Sequence, residues 1–211
     1  MDSGDQSLNV DRVHVWRGDR HVLKGVSLVL AARELLHVSG PNGTGKTTLL
    51  RVACGLLRPE QGLVAWQGRP IASARAEYQA ALAYAPHEPA LKADLTPLEN
   101  LQFMVGLRRR VRAAELKAHL ERVGLEECAD LPVRALSAGQ RRRAAMARVL
   151  ASRASLWLMD EPFTNLDRAG CELLCGLLAQ HVTTGGLALV VAHHDFSVGF
   201  GTRMRRLELG A

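Results

Sequence analysis

Apolar side chains recur at near-alternate positions through LNVDRVHVW (8–16) and again through HVLKGVSLVL (21–30), with the polar turn RGDR between them. That pattern predicts two antiparallel strands joined by a tight turn. ELLHVSG (34–40) reads as a strand running into glycine, followed by helical spacing from Lys46 to about Gly55. Short strands follow near LVAW (63–66) and LAYA (82–85). From Thr96 to Val123 the period becomes helical, and Thr96-Pro97-Leu98-Glu99 has the form of a capped start, with proline in the first turn and glutamate three residues after the cap. This stretch carries few strand signals and predicts a helical subdomain set off from the sheet, spanning about residues 88–152 with the helix that follows. SLWLMD (155–160) reads as a strand, Asp167 to His181 as a helix, and GLALVVA (186–192) and RMRRLEL (203–209) as closing strands. Strands alternating with helices predict an α/β fold with a mostly parallel core sheet and an antiparallel N-terminal β portion, all within one domain, 1–211.

Composition narrows the class. The chain has 211 residues, 47% of them hydrophobic, enough for a buried core. No run approaches 18 apolar residues, and MDSGDQSLNV is polar and acidic rather than a signal segment, so a cytosolic protein able to dock onto a membrane partner is expected. Cys54, Cys128, Cys171 and Cys175 are scattered. The last two could share a helical face, but no second ligand pair accompanies them, which predicts reduced structural thiols rather than zinc. The net charge is +6, carried almost wholly by arginine, with only Lys24, Lys46, Lys92 and Lys117 as lysines. The clusters Arg108–Arg110 and Arg141–Arg143 lack interleaved aromatics for base stacking, so they read as solvated or partner-facing surface and no nucleic-acid partner is expected.

Residues 40–47, GPNGTGKT, match the phosphate-binding loop pattern G-x-x-x-x-G-K-[ST], placed after a strand and before a helix as its mechanism requires. Gly40, Gly43 and Gly45 let the backbone wrap a polyphosphate with N–H groups pointing inward. Pro41, Asn42, Thr44 and Thr48 complete the nucleotide-binding stretch, Lys46 reaches the β and γ phosphates, and the Thr47 hydroxyl suits Mg²⁺. Asp160, delivered by its strand to the C-terminal edge of a parallel sheet, is the second Mg²⁺ candidate. Glu161 follows at once and is the candidate to orient and deprotonate an attacking water. Adjacent strand residues point to opposite faces, and the turn forced by Pro162 is expected to break that alternation.

LSAGQRRRAAMARVL (136–150) raises a different question. A helix that begins on Ser137 and Gly139 offers free N–H groups and a positive dipole end to an anion, yet this chain already has a phosphate loop far upstream. GPNGTGKT, LSAGQ and LMDEP in this order and spacing resemble the nucleotide-binding subunits of ATP-binding cassette (ABC) proteins, over essentially the whole chain. The resemblance implies a P-loop ATPase that uses ATP and Mg²⁺ in a head-to-tail dimer. Ser137, Ala138, Gly139 and Gln140 would then read the γ-phosphate held by a second copy, with Ala138 replacing the middle glycine of the family signature. It further implies an interface-crossing loop at Asn165, Leu166 and Asp167, a switch histidine at His194, and Trp16 as the aromatic that stacks on adenine. His193 reads as structural. His87 stands where the family usually carries glutamine in the loop that couples the ATP site to the membrane partner, which leaves its Mg²⁺ role open.

That histidine, with LTPLENLQF, LWLMDEPFTNLD and a chain ending soon after the histidine motif, is similar to the ATP-binding subunits of cytochrome c maturation. This implies a peripheral ATPase on the cytoplasmic face of the bacterial inner membrane, paired with integral membrane subunits. Its hydrolysis would power haem export or release of a haem-loaded chaperone, which it meets only indirectly. An ABC subunit for another cargo is the alternative. A soluble cassette acting on DNA or ribosomes fits less well, because the 89 residues from Thr48 to Ser137 leave no space for long coiled coils and there is one phosphate loop.

Overall fold

The computed structural model describes residues 6–196 and 204–210. Two sheets meet. The first is antiparallel, in the order β2 (Arg20–Ala31), β1 (Ser7–Arg17), β4 (Gln61–Trp66), β5 (Arg69–Pro70). The second has the order β6 (Leu82–Ala85), β7 (Leu156–Asp160), β8 (Leu187–Val191), β3 (Leu35–Ser39), β9 (Met204–Glu208), and all its pairings are parallel. The α/β class and both sheet types are therefore as the alternation predicts.

Strands β3, β7 and β8 are buried on both faces, and their alternation sorts two cores. Leu36, Val38, Leu156, Leu158, Leu187 and Leu189 pack toward α1 (Lys46–Ala53) and the antiparallel sheet. Trp157, Met159, Ala188 and Val190 pack toward α5 (Ala138–Ser152) and α6 (Arg168–Thr183). The short helix α2 (Arg75–Ala81), which the periodicity does not reveal, anchors through the buried Tyr78, whose hydroxyl donates to the Ala53 carbonyl.

The helical block is divided rather than continuous. α3 (Pro97–Gly106) starts with the expected capping box, Thr96 accepting from the Glu99 N–H and Glu99 from the Thr96 N–H. It stops before the arginine run, and α4 (Ala113–Glu121) begins after it. Arg109 turns inward to the Glu115 carboxylate and to the Ala151 carbonyl at 3.3 Å, an arrangement that a continuous helix through 107–112 would not permit. All four cysteines are free thiols, and burial raises the pKa of Cys54, Cys171 and Cys175, which disfavours the thiolate.

His181, in the last turn of α6, stacks on Trp157 at 3.8 Å between ring centroids and bonds the Leu187 carbonyl through Nε2 at 3.1 Å. Burial pushes its pKa down to about 4. The folded state thus prefers the neutral ring, whereas the unfolded chain protonates it near its ordinary value of 6.5. The resulting stability is complete above pH 6.5 and lost as pH falls toward 4, an expected contribution of about 3 kcal/mol. Urea unfolding of the wild type and His181→Phe at several pH values checks this. The variant should lose less stability on acidification, and parallel pH profiles would remove His181 as a source of the acid sensitivity.

Candidate active site

The glycine loop occupies the connection from β3 to α1. Gly45 caps α1 at φ 100°, a left-handed conformation, and a Cβ there would come within 2.8 Å of Leu23. At Gly40, φ 137°, a Cβ would lie 2.3 Å from the Leu209 carbonyl oxygen. Any side chain at either position would prise the loop away from the sheets that hold it. Lys46 is only 7% exposed, and its Nζ donates to the carbonyls of Gly40 (2.7 Å) and Pro41 (2.9 Å). The lysine thus lies folded along its own loop, a compact charge beside the backbone N–H groups that suit a phosphate chain.

This loop floors a cleft of about 560 Å³. Asn42, Gly43, Gly45, Lys46, Thr47 and Thr48 line it together with Asp160, Glu161, His87 and His193. Asp160 ends β7, 1% exposed, and its Oδ1 accepts from the Thr47 hydroxyl at 3.3 Å. The two Mg²⁺ candidates of the sequence are therefore neighbours, although 113 residues separate them. Both offer hard oxygen donors, which fits a divalent cation that prefers oxygen and retains water.

Glu161 reverses the chain itself. Its φ of 48° is left-handed, its N–H donates to the Val191 carbonyl at 2.9 Å, and its own carbonyl accepts from Thr164 at 3.2 Å. The expected break in alternation is present, but its origin is the glutamate's backbone as much as the proline after it. A non-glycine residue held there costs on the order of 1–3 kcal/mol, a strain that clusters at functional sites. The side chain is 15% exposed, and Oε1 is buried with no hydrogen-bond partner.

The two histidines of AHHD are placed differently from the expectation. His193, read from sequence as structural, brings Nε2 to 3.2 Å from Glu161 Oε1, while its N–H approaches Oε2 at 3.4 Å. The ring contact has ion-pair distance but not hydrogen-bond alignment. His194, the expected switch residue, is exposed and does not line the nucleotide cleft. Trp16 is also outside the cleft lining, and His21 covers one face of its indole at 3.9 Å and 8°. Arg17, Arg20 and Val22 line that wall, and Arg20 donates to the Gly43 carbonyl at 2.8 Å. The RGDR turn, with two arginines at a hairpin tip, was the available signal for them.

Ser137 caps α5 through a second capping box: its hydroxyl accepts from the Gln140 N–H at 3.1 Å, and Gln140 Oε1 from the Ser137 N–H at 2.8 Å. None of the four signature residues lines this chain's own cleft. Ala138 is exposed on this chain, so the methyl group that replaces the family's middle glycine is not buried against the fold. Gly139 has no such freedom, since a Cβ would lie 2.9 Å from the Asn165 carbonyl oxygen. Residues 165–167 are thereby seated against the start of α5, and Arg143 bonds Asp167 at 3.1 Å while that carboxylate caps α6 through the Gly170 N–H at 2.8 Å. Leu166 packs against the adjacent core. The Gly170 N–H, followed by Arg143, holds the Asp167 carboxyl below its usual range.

The arginine cluster 141–143 is not uniformly a solvated face. Arg142 is 2% exposed, and Arg148, farther along α5, is 9% exposed. Both donate to backbone carbonyls, a use of charge that linear patterning cannot distinguish from surface display.

Comparison with known proteins agrees with this geometry. Residues 23–164 match the ABC transporter family. The chain is 43% identical over its full length to a protein of Nitrosococcus oceani named cytochrome c biogenesis ATP-binding export protein CcmA, covering 95% of that protein. It is 46% identical over 195 residues to a protein of the same name from Methylococcus capsulatus, covering 92% of this chain and 94% of that one. Among solved structures, the dimeric ABC transporter cassette MJ0796 superposes with a TM-score of 0.85 at 25% identity, over 96% of this chain and 95% of that one. Phosphate loop, strand-end carboxylates, separate signature and relatives all agree: the chain belongs to the ABC transporter family, as an ATP-binding cassette of the kind those CcmA proteins represent.

Proposed function

We propose that this chain is the ATP-hydrolysing subunit of a membrane ABC complex in cytochrome c biogenesis, powering haem export or the release of a haem-loaded chaperone. The observation that carries the ATPase part is the cleft that gathers the glycine loop, Lys46, Thr47, Asp160, Glu161 and His193. The glycine loop and Lys46 bind the triphosphate. A bound Mg²⁺ would neutralise charge across the β and γ phosphates, with Thr47 and Asp160 as its protein partners. Glu161 takes a proton from water as the water oxygen bonds the γ-phosphorus and the bond to ADP breaks, giving ADP and phosphate. His193 holds the glutamate in place.

A capped signature helix that stays out of its own cleft supports a head-to-tail dimer, in which Ser137, Ala138, Gly139 and Gln140 meet the nucleotide of a second copy. The solved cassette noted above is itself dimeric. For the membrane subunits, the favoured surface is the groove beside α3, lined by Leu56, Tyr84, Met104 and Val105. Leu56 (64%), Phe103 (45%) and Leu107 (71%) expose apolar surface nearby. Among the described residues no helix is long and apolar enough to cross a membrane, so integral partners would supply the span. The proposed location is peripheral, on the cytoplasmic face of the inner membrane.

The cargo rests on the CcmA relatives and is tested by affinity purification of the tagged chain from detergent-solubilised membranes, with mass spectrometry and absorbance of the eluate. Co-purifying polytopic subunits with a haem Soret band are expected. Membrane subunits without haem would move the assignment to another cargo, and a ribosome- or DNA-rich eluate without membrane proteins would overturn it.

A further inference from the structure

Arginine is rarely this deeply buried unless paired with an acid, yet the two bonded nitrogens of Arg142 go to carbonyls. Nη1 donates to Pro86 at 3.2 Å and Nη2 to His87 at 2.5 Å, while Nε has no partner among the described residues. Burial disfavours the charge, and Asp160 and Glu161 lie close enough to favour it. The guanidinium therefore sits among three parts: the helix that begins with the signature, the loop whose His87 lines the cleft, and the carboxylate pair at the end of β7. Arg148 holds the flanks of the same loop, donating to Tyr84 (3.1 Å) and Ala90 (2.9 Å).

A planar fork can engage two successive carbonyls at once, whereas an ammonium delivers its charge from a single nitrogen. We infer that Arg142 is a positioning residue that clamps the carbonyls of Pro86 and His87 to the signature helix, so that the loop facing this chain's own nucleotide and the signature offered to a second copy move as one body. The inference rests on the dimer reading above. Through this clamp, occupation of one nucleotide site sets the attitude of the signature presented to the other. The clamp acts through the 86–87 backbone, so the identity of the side chain at 87 is secondary to it.

The test uses the full chain carrying Glu161→Gln, with and without Arg142→Met or Arg142→Lys. Three quantities are read: binding of a fluorescent ATP analogue to dilute monomer, ATP-driven dimerisation by sedimentation, and amide exchange at His87 and Glu88. With Arg142→Met, analogue binding should stay within about threefold of the parent while dimerisation weakens about tenfold or more and exchange at 87–88 quickens. Arg142→Lys keeps the charge without the fork and should fall between the two. It carries the test if the methionine variant does not fold. Dimerisation within about twofold of the parent, with unchanged exchange, would overturn the clamp while leaving the dimer reading intact. Equal loss of analogue binding and dimerisation in both variants would mark a general fold defect and overturn it as well. A parent that binds ATP yet stays monomeric would overturn the dimer reading and the clamp with it.

Discussion

Glu161→Gln is expected to bind ATP as the wild type does and to turn it over about 10²–10⁴-fold more slowly, the range that a positioned general base contributes. The reasoning is local. Glu161 occupies a left-handed turn directly after the buried Asp160, and that turn swings its carboxylate into the cleft instead of leaving it on the opposite face of β7. Glutamine fills the same space and retains an acceptor oxygen but cannot take up a proton at neutral pH. Nucleotide binding should be preserved, because Lys46 and the glycine loop, which are assigned the triphosphate, are unchanged. Turnover by the full chain, alone and with its membrane partners, measured beside analogue binding, separates the two effects. A variant within about threefold of wild type in kcat would remove Glu161 as the base.

His193→Ala is expected to lower kcat about 10–100-fold with KM for ATP within about threefold, and His194→Ala to leave both within about threefold. Alignment to the family motif points to His194, whereas the geometry points to its neighbour. His193 meets Glu161 through both ring and backbone and lines the nucleotide cleft, whereas His194, exposed like its neighbour, lines only the adjoining cavity that Glu161 and His193 share. Removing the ring frees Glu161 to leave its orientation toward water, a loss felt in the chemical step and little in ground-state binding. The opposite order of effects would mean that the contact to His193 belongs to the open cassette only, and that His194 takes its place when two copies close.

The features legible in the sequence share a property: each is specified over a few consecutive residues. The glycine loop, the Thr96 capping box, the strand that delivers Asp160 and the alternation of the first two strands follow from spacing alone. The Ser137 capping box is equally local, Ser followed by Gln three residues later. The break between α3 and α4 was not legible, because the contacts that accompany it, Arg109 to Glu115 and to the Ala151 carbonyl, join residues outside any helical period.

The α/β class, the phosphate loop and the placement of the acid pair at a strand end are encoded by backbone propensity and short-range spacing, whereas the signature is legible through its resemblance to the ABC family. Which of two adjacent histidines meets Glu161, which arginines of a basic run are buried, and why Gly139 admits no side chain are set by long-range packing. Each of these depends on a partner more than 25 residues away, across β8, the 86–87 loop or the interface loop. Linear pattern carries no distance between such residues, whereas close packing of helix against sheet fixes it.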